Sequence, residues 1–292
     1  MEIIDGKVLS EQIKAEIAEE VKKMVNAGER PPHLAAVLVG EDPASQVYVR
    51  NKVKSCEQVG FKSTLIRPAA DVSQKELLAM VESLNKDDEV DGFIVQLPLP
   101  DHLEEEEVTL AIDPVKDVDG FHPVNFGRMA QGLPCYLPAT PAGIMEIFKR
   151  FNIPTSGKEV VVVGRSNIVG TPMSILLSRK QNPGNATVTL CHSRTADLAA
   201  HTRRADILIA SIGQPNLITG DMVKEGVVVI DVGINRVEDP TAKRGYRLTG
   251  DVDFASVSPK ASYITPVPRG VGPMTVVSLL LNTLKARQGG IY

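Results

Sequence analysis

The chain has 292 residues, 43% of them hydrophobic and 23% charged, with a formal net charge of -4; that is the balance of a soluble globular chain long enough for two domains. The charge leaves no basic footprint for nucleic acid, and no apolar run approaches the length of a membrane span. Cys56, Cys135 and Cys191 form no C-x-x-C pair, and His33, His102, His122, His192 and His201 lack metal-ligand spacing, so neither a disulfide framework nor a structural metal is indicated.

Met1-Glu2-Ile3-Ile4-Asp5 does not resemble a secretory leader, and the expected location is the cytoplasm. Ile13, Ile17, Val21, Met24 and Val25 form one helical stripe, with Ser10 as the expected cap. Leu34 to Gly40 reads as a strand ending in glycine, and about Pro43 to Val59 as a helix closed by Gly60. Tyr48 and Lys52, four residues apart, share a face of that helix. They either present a flat ring and an amine to a planar ligand or, with Arg50 and Lys54, form a solvated basic face.

Phe61 to Ile66 reads as a second strand, and Ser73-Gln74-Lys75-Glu76 is a capping box opening a helix that buries Leu77, Leu78, Val81 and Leu84. A third strand, Gly92 to Leu97, is stopped by Pro98-Leu99-Pro100. Strand and helix alternate, which predicts a parallel sheet covered by helices. Ligands meet such sheets at the carboxyl ends of the strands. Gln96 stands at such an end, to meet a ligand or to hydrogen-bond the prolyl turn. Glu104 to Glu107 suits an exposed helix start. The loop Asp113 to Phe121, with Asp117 and Asp119 around Val118, could bind a cation, hold a polar heterocycle, or form Asx turns.

Pro138-Ala139-Thr140-Pro141 reads as a domain boundary, with Thr140 capping a helix from Pro141 that buries Ile144, Ile147, Phe148 and Phe151. Val160 to Val163 is a β-branched run suited to a strand buried on both faces. Gly164-Arg165-Ser166-Asn167-Ile168-Val169-Gly170 then leads into a helix with Pro172 in its first turn. Strand, glycine loop and helix N-terminus make a ready anion site, although Ser166 stands where G-x-G-x-x-G has its second glycine, and a plain tight turn is the alternative. The next strand, Thr187 to Cys191, ends in His192-Ser193-Arg194-Thr195 without an acid. An NAD site usually has Asp or Glu there for the ribose. Its absence, with Arg165 and Ser166 able to converge on the same ribose, favours NADP if a dinucleotide binds. Asp206 to Gly213 and Val227 to Gly233 are two further strands, and a polar excursion from about Arg236 to Thr249 follows. The loop Thr265 to Thr275 runs into a last helix from about Pro273 to Lys285.

Five motifs now stand in order along nearly the whole chain: Tyr48-Val49-Arg50-Asn51-Lys52, Val95-Gln96-Leu97-Pro98-Leu99-Pro100, Lys116-Asp117-Val118-Asp119-Gly120-Phe121, Gly164 to Gly170, and Gly270-Val271-Gly272-Pro273-Met274-Thr275. In these the chain resembles the bifunctional methylenetetrahydrofolate dehydrogenase/methenyltetrahydrofolate cyclohydrolase family. The resemblance implies an α/β fold of two α/β domains with a cleft between them, the second a Rossmann-type NADP-binding domain. Residues 1–140 plus 273–292 would be the catalytic folate-binding domain and 141–272 the NADP-binding domain, the latter forming homodimers. The implied chemistry is oxidation of 5,10-methylenetetrahydrofolate by NADP, then hydrolysis of the 5,10-methenyl product to 10-formyltetrahydrofolate, a one-carbon supply for purine biosynthesis.

Carried over by motif, Lys52 is the key catalytic residue, Tyr48 packs against the folate, Gln96 supports Lys52 and Asp119 hydrogen-bonds the pterin. Leu97, Pro268, Gly270, Gly272 and Thr275 border the folate; Gly164, Arg165, Ser166, Ser193, Arg194 and Ile234 line the NADP site. Hydride transfer needs chiefly the alignment of two planar rings. Hydration of an amidinium-like carbon needs proton movement, which a desolvated lysine can supply. Two departures stand out. Arg269 replaces a glycine of the family's Pro-Gly-Gly-Val-Gly-Pro loop, so either that position needs no positive φ or the loop is shifted. Ala139 stands where the family often has cysteine. Two other readings are a dehydrogenase that has lost the hydrolytic step, and a non-catalytic NADP sensor that would bind cofactor without turning over methylenetetrahydrofolate.

Overall fold

Runs of β-branched and small apolar residues form the strands, and every strand pair is parallel except one hairpin. The computed structural model describes residues 1–242 and 245–291. In chain order the elements are β1 (Glu2–Ile3), α1 (Gly6–Asn26), β2 (His33–Val37), α2 (Pro43–Val59), β3 (Lys62–Ile66), α3 (Gln74–Lys86), β4 (Gly92–Val95), α4 (Glu105–Ala111), α5 (Pro123–Gln131) and α6 (Ala139–Arg150). There follow β5 (Glu159–Val163), α7 (Gly170–Ser178), β6 (Thr187–Cys191), α8 (Leu198–Thr202), β7 (Ile207–Ala210), β8 (Val227–Asp231), β9 (Asn235–Glu238), β10 (Tyr246–Thr249), α9 (Phe254–Val257), β11 (Ala261–Ile264) and α10 (Val271–Arg287). Their contacts divide the chain into two units, residues 11–139 with 276–292 and residues 1–10 with 140–275.

The unit of residues 11–139 and 276–292 is built on a three-stranded sheet in the order β3-β2-β4. Every residue of the middle strand, β2, is buried, as expected of a parallel strand covered on both faces. Val37, Leu77, Val81, Phe93 and Val108 belong to the core beside it. The capping box at Ser73 and Glu76 forms, and α3 buries Leu77, Val81 and Leu84. Helix α2 is pinned at both ends. Asp42 accepts the Ser45 N–H at its start, and Gly60 closes it at φ 80°. Asn282 of α10 donates to the carbonyls of Val118 and Leu137 at 2.8 and 3.0 Å, anchoring the last helix in this unit.

The unit of residues 1–10 and 140–275 is built on a six-stranded sheet in the order β1-β11-β8-β7-β5-β6. Val160, Val161, Val162 and Val163 of β5 are all buried, as their unbroken apolar run requires. From β6 the chain crosses to β7 on the other side of β5, which makes the β5/β7 boundary the topological switch point, the place where Rossmann-type sheets take a dinucleotide.

Several expected boundaries move. Residues 1–10 join 140–275 instead of the segment up to 140, because β1 pairs with β11 (Glu2 opposite Tyr263, Ile3 opposite Ile264) and the Lys7 N–H donates to the Arg269 carbonyl at 3.0 Å. Helix α1 is capped by Asp5, which accepts the N–H groups of Lys7 and Val8 at 3.1 Å; Ser10 lies inside the helix with its hydroxyl on the Lys7 carbonyl. Thr140 is likewise inside α6, where its hydroxyl meets that of Thr275 at 3.0 Å. The polar excursion contains the hairpin β9–β10, and α10 opens at Val271 ahead of Pro273.

Candidate active site

Lys52 is a lysine with 8% of its surface exposed, and a buried ammonium needs partners. It has two. Its Nζ donates to Gln96 Oε1 at 3.2 Å and lies 3.8 Å from Asp119 Oδ2. Each partner comes from a different part of the unit. Gln96 follows β4, held by its own N–H on the Val37 carbonyl at 2.9 Å. Its amide nitrogen donates to the Leu97 carbonyl at 2.6 Å, so it serves the prolyl turn and the lysine at once. Tyr48, one turn before Lys52 on α2, is 43% exposed. Arg50 and Lys54 do not share the lysine's setting, for both are exposed.

Asp119 is placed by the loop before α5, and that loop is organised by Asp117. The Asp117 carboxylate is 3% exposed and accepts the N–H groups of Gly120, Phe121 and His122 at 3.1, 3.2 and 2.8 Å and the Asn125 amide at 2.9 Å. Burial nevertheless pushes its carboxyl up to about 6, against the pull of these donors. Asp117 thus forms the Asx-type turn, while Asp119 faces the lysine. Phe93, Val95, Leu97 and Phe121 line a recess that also touches both carboxylates. Cys56, one turn beyond Lys52, is fully buried and its thiol is pushed up to about 12, burial being the main cause. It is a packing residue, not a nucleophile.

In the other unit, Gly164 leaves β5 at φ 115°, and a Cβ on it would stand 2.1 Å from the Ser211 carbonyl oxygen. A Cβ on Gly170 would stand 1.8 Å from the Gly164 carbonyl oxygen. The loop between them is therefore folded as tightly as backbone allows. Ser166 Oγ accepts the Val169 N–H at 3.1 Å, and the first turn of α7 has no side-chain cap. The Thr171 N–H donates to the Ser166 carbonyl at 3.0 Å and Pro172 has no N–H, so what the start of α7 offers an anion is chiefly its dipole. Val163 pairs with Cys191, so the exposed residues Arg165 and Ser166 leave one strand end beside the exposed residues Ser193 and Arg194 leaving its neighbour. No carboxylate follows β6 at that edge before Asp197. Glycine cradle, helix start and two exposed arginines at neighbouring strand ends fit a phosphorylated dinucleotide.

Ile234 is 44% exposed and a Cβ on Gly272 would meet its Cδ1 at 3.7 Å. Pro268, Gly270, Gly272 and Thr275 lie in the unit of residues 140–275, apart in membership from Lys52, Gln96, Leu97 and Asp119. Arg269 does adopt a left-handed backbone, φ 88°, so the position demands what a glycine would give freely. Its guanidinium pairs with the Asp5 carboxylate. Of the readings left open for the Asp113 to Phe121 loop, Asp117 takes the Asx turn.

Residues 4–119 match the model of the tetrahydrofolate dehydrogenase/cyclohydrolase catalytic domain, and residues 138–289 match that of the tetrahydrofolate dehydrogenase/cyclohydrolase NAD(P)-binding domain. The chain belongs to the tetrahydrofolate dehydrogenase/cyclohydrolase family. Within it, the bifunctional protein FolD of Bacteroides fragilis is 61% identical over 292 residues, 100% of both chains. The crystal structure of the Campylobacter jejuni FolD methylenetetrahydrofolate dehydrogenase/cyclohydrolase is 48% identical, covers 98% of each chain and superposes with a TM-score of 0.92. The Trypanosoma brucei FolD, complexed with NADP cofactor and inhibitor, is 39% identical over 98% of this chain and 97% of its own, also with a TM-score of 0.92. Among the described residues no helix of this family member is long and apolar enough to cross a membrane.

Proposed function

We propose that this bifunctional, NADP-dependent enzyme oxidises 5,10-methylenetetrahydrofolate to the 5,10-methenyl cation and then adds water to give 10-formyltetrahydrofolate, with Lys52 at the centre of the chemistry. The observation that carries the assignment of Lys52 is the buried amine held between Gln96 Oε1 and Asp119 Oδ2. NADP, when bound, accepts the hydride of the first step. Gly164, Arg165, Ser166, Ser193, Arg194 and Ile234 hold it in this reading, the two arginines and serines taking the ribose phosphate.

The chain's own work in the oxidation is alignment. Tyr48 offers an exposed ring to the flat pterin, and Asp119 offers a carboxylate oxygen to its N–H groups. Leu97, with the motif residues Pro268, Gly270, Gly272 and Thr275, is assigned to the folate by the family pattern. In the hydration, the water oxygen bonds to the methenyl carbon and gives up one proton; the carbon–nitrogen bond to the other ring nitrogen then breaks as the hydroxyl becomes the formyl carbonyl, its second proton passing to that nitrogen. Lys52 Nζ moves the proton, and Gln96 keeps Nζ in place during both steps. The family resemblance supports a homodimer formed through the NADP-binding domains and residence in the cytoplasm.

The test is to mix the purified protein with methylenetetrahydrofolate and NADP and follow the methenyl absorbance as it forms and decays. The wild type should show both phases. Lys52→Met should retain NADP binding and lose the decay phase; a Lys52→Met enzyme that hydrolyses methenyltetrahydrofolate normally overturns the assignment.

A further inference from the structure

Two buried carboxylates stand outside every role assigned above. Asp251 is 0% exposed, and its oxygens accept the N–H groups of Ile212, Gly213 and Gln214, three in succession, together with the Asn235 side-chain amide at 2.9 Å. Asp231, the last residue of β8 and 4% exposed, accepts the N–H groups of Gly233, Asp251 and Val252, each at 3.0 Å. Successive backbone N–H groups closing on one anion form a nest. Here the chain supplies its own anion.

The partners of Asp251 come from the loop after β7 and from Asn235, which opens β9 just past the turn that follows β8; both turns leave the carboxyl edge of the sheet beyond the switch point. The first continues from Ser211, the residue against which Gly164 is packed. The second carries the exposed Ile234 next to Asn235. Only glycine fits around the couple. A Cβ on Gly233 would stand 2.3 Å from Asp251 Oδ1, and one on Gly250 would stand 1.8 Å from Asp231 Oδ2.

We propose that Asp251 is a positioning residue for NADP, locking Ile212–Gln214 and the Ile234–Asn235 turn into one edge of the cofactor site, with Asp231 holding Asp251 in turn. Asp251 is fully buried and does its work through backbone that a cofactor can reach. The inference rests on NADP being the cofactor of the 140–275 unit. Asparagine at 251 would turn an acceptor oxygen into a donor facing backbone N–H groups. The loops would part, and the energy would come out of NADP binding.

The two activities separate positioning from mere structure, because hydrolysis of methenyltetrahydrofolate can be assayed with no NADP present. For Asp251→Asn, the Kd of NADP should rise roughly 10- to 100-fold, with a matching rise in KM for NADP. Cofactor-free cyclohydrolase activity should stay within about twofold of wild type. Asn235→Ala removes a single donor at a half-buried site and should raise the Kd about 2- to 10-fold, again sparing hydrolysis. An unchanged NADP Kd in Asp251→Asn, or parallel loss of both activities in the two variants, overturns the proposal. If Asp251→Asn does not fold, Asn235→Ala decides, and an unchanged Kd there overturns it. A wild type that fails to bind NADP would instead overturn the functional reading beneath it.

Discussion

Asp117 and Asp119 are two residues apart in one loop and serve opposite purposes: the first accepts four hydrogen bonds from its own loop and from α5, the second turns a carboxylate oxygen to within 3.8 Å of Lys52 Nζ. Replacing Asp117 by Ala would leave buried donors without an acceptor. We expect a loss of roughly 3 kcal/mol or more in urea denaturation, with a fall in cyclohydrolase activity in the fraction that folds.

The same residue sets a pH dependence. Its folded pKa is raised from 3.8 to about 6, so the stability it contributes is fully present below pH 3.8 and is lost as pH rises through 6. Asp231, raised from 3.8 to about 7 by burial, acts with the same sign over a slightly wider window. Asp117→Asn and Asp231→Asn cannot titrate there. Each should therefore gain on the wild type as pH rises from about 4 to 7, as read by denaturation midpoints across that range. A wild-type-minus-variant difference that stays flat with pH would contradict both shifts.

Gln96 is half-buried and bonds Lys52 through one atom. Gln96→Leu leaves the buried amine with Asp119 alone, so it should cost about 1–3 kcal/mol in unfolding and lower cyclohydrolase kcat by roughly 10- to 100-fold. Gln96→Glu should keep an acceptor on the amine and recover part of the rate.

Gly164 and Gly213 both have positive φ, 115° and 76°, yet a Cβ on Gly164 would collide with the Ser211 carbonyl while one on Gly213 would meet nothing within 4 Å. Alanine at 213 should cost about 1 kcal/mol, the backbone preference alone. Alanine at 164 should cost about 3 kcal/mol or more and abolish measurable NADP binding. Calorimetry of the two variants checks the contrast.

Arg269 holds a left-handed backbone that costs a non-glycine residue about 1 kcal/mol or more, and its ion pair with Asp5 is 57% exposed on the arginine side. An exposed pair returns about 0–1 kcal/mol. Arg269→Gly should therefore be at least as stable as wild type, and Arg269→Ala, which keeps the strain and loses the pair, less stable.

Most of the fold was legible because the signals were local. The buried strands showed as β-branched runs, α3 as a capping box, and the tight Gly164 to Gly170 loop as glycines at a strand's end. The expectation that Lys52, Gln96 and Asp119 share a site came through motif resemblance; the 3.8 Å approach of Asp119 to the amine is what the geometry adds. What escaped depended on contacts distant in sequence. The two-residue strand β1 has no propensity signal and exists only because β11 lies beside it. Ser10 looked like a cap and Asp5 is one, since two serviceable oxygens lay five residues apart. Asp251 reads as an ordinary polar residue until the donors from 212–214 and 235 are seen to converge on it.

Neither unit is a continuous stretch of polypeptide, since residues 1–10 are completed by 140–275 and residues 11–139 by 276–292. On the ribosome, β1 emerges long before β11, and Asn282 arrives after everything it anchors. Each unit is therefore complete only after its last-made piece has emerged, β11 for one and the stretch around Asn282 for the other. A gene cut at residue 140 would yield fragments each lacking a piece of the other, so the two activities are inherited as a single package by the way the thread is wound.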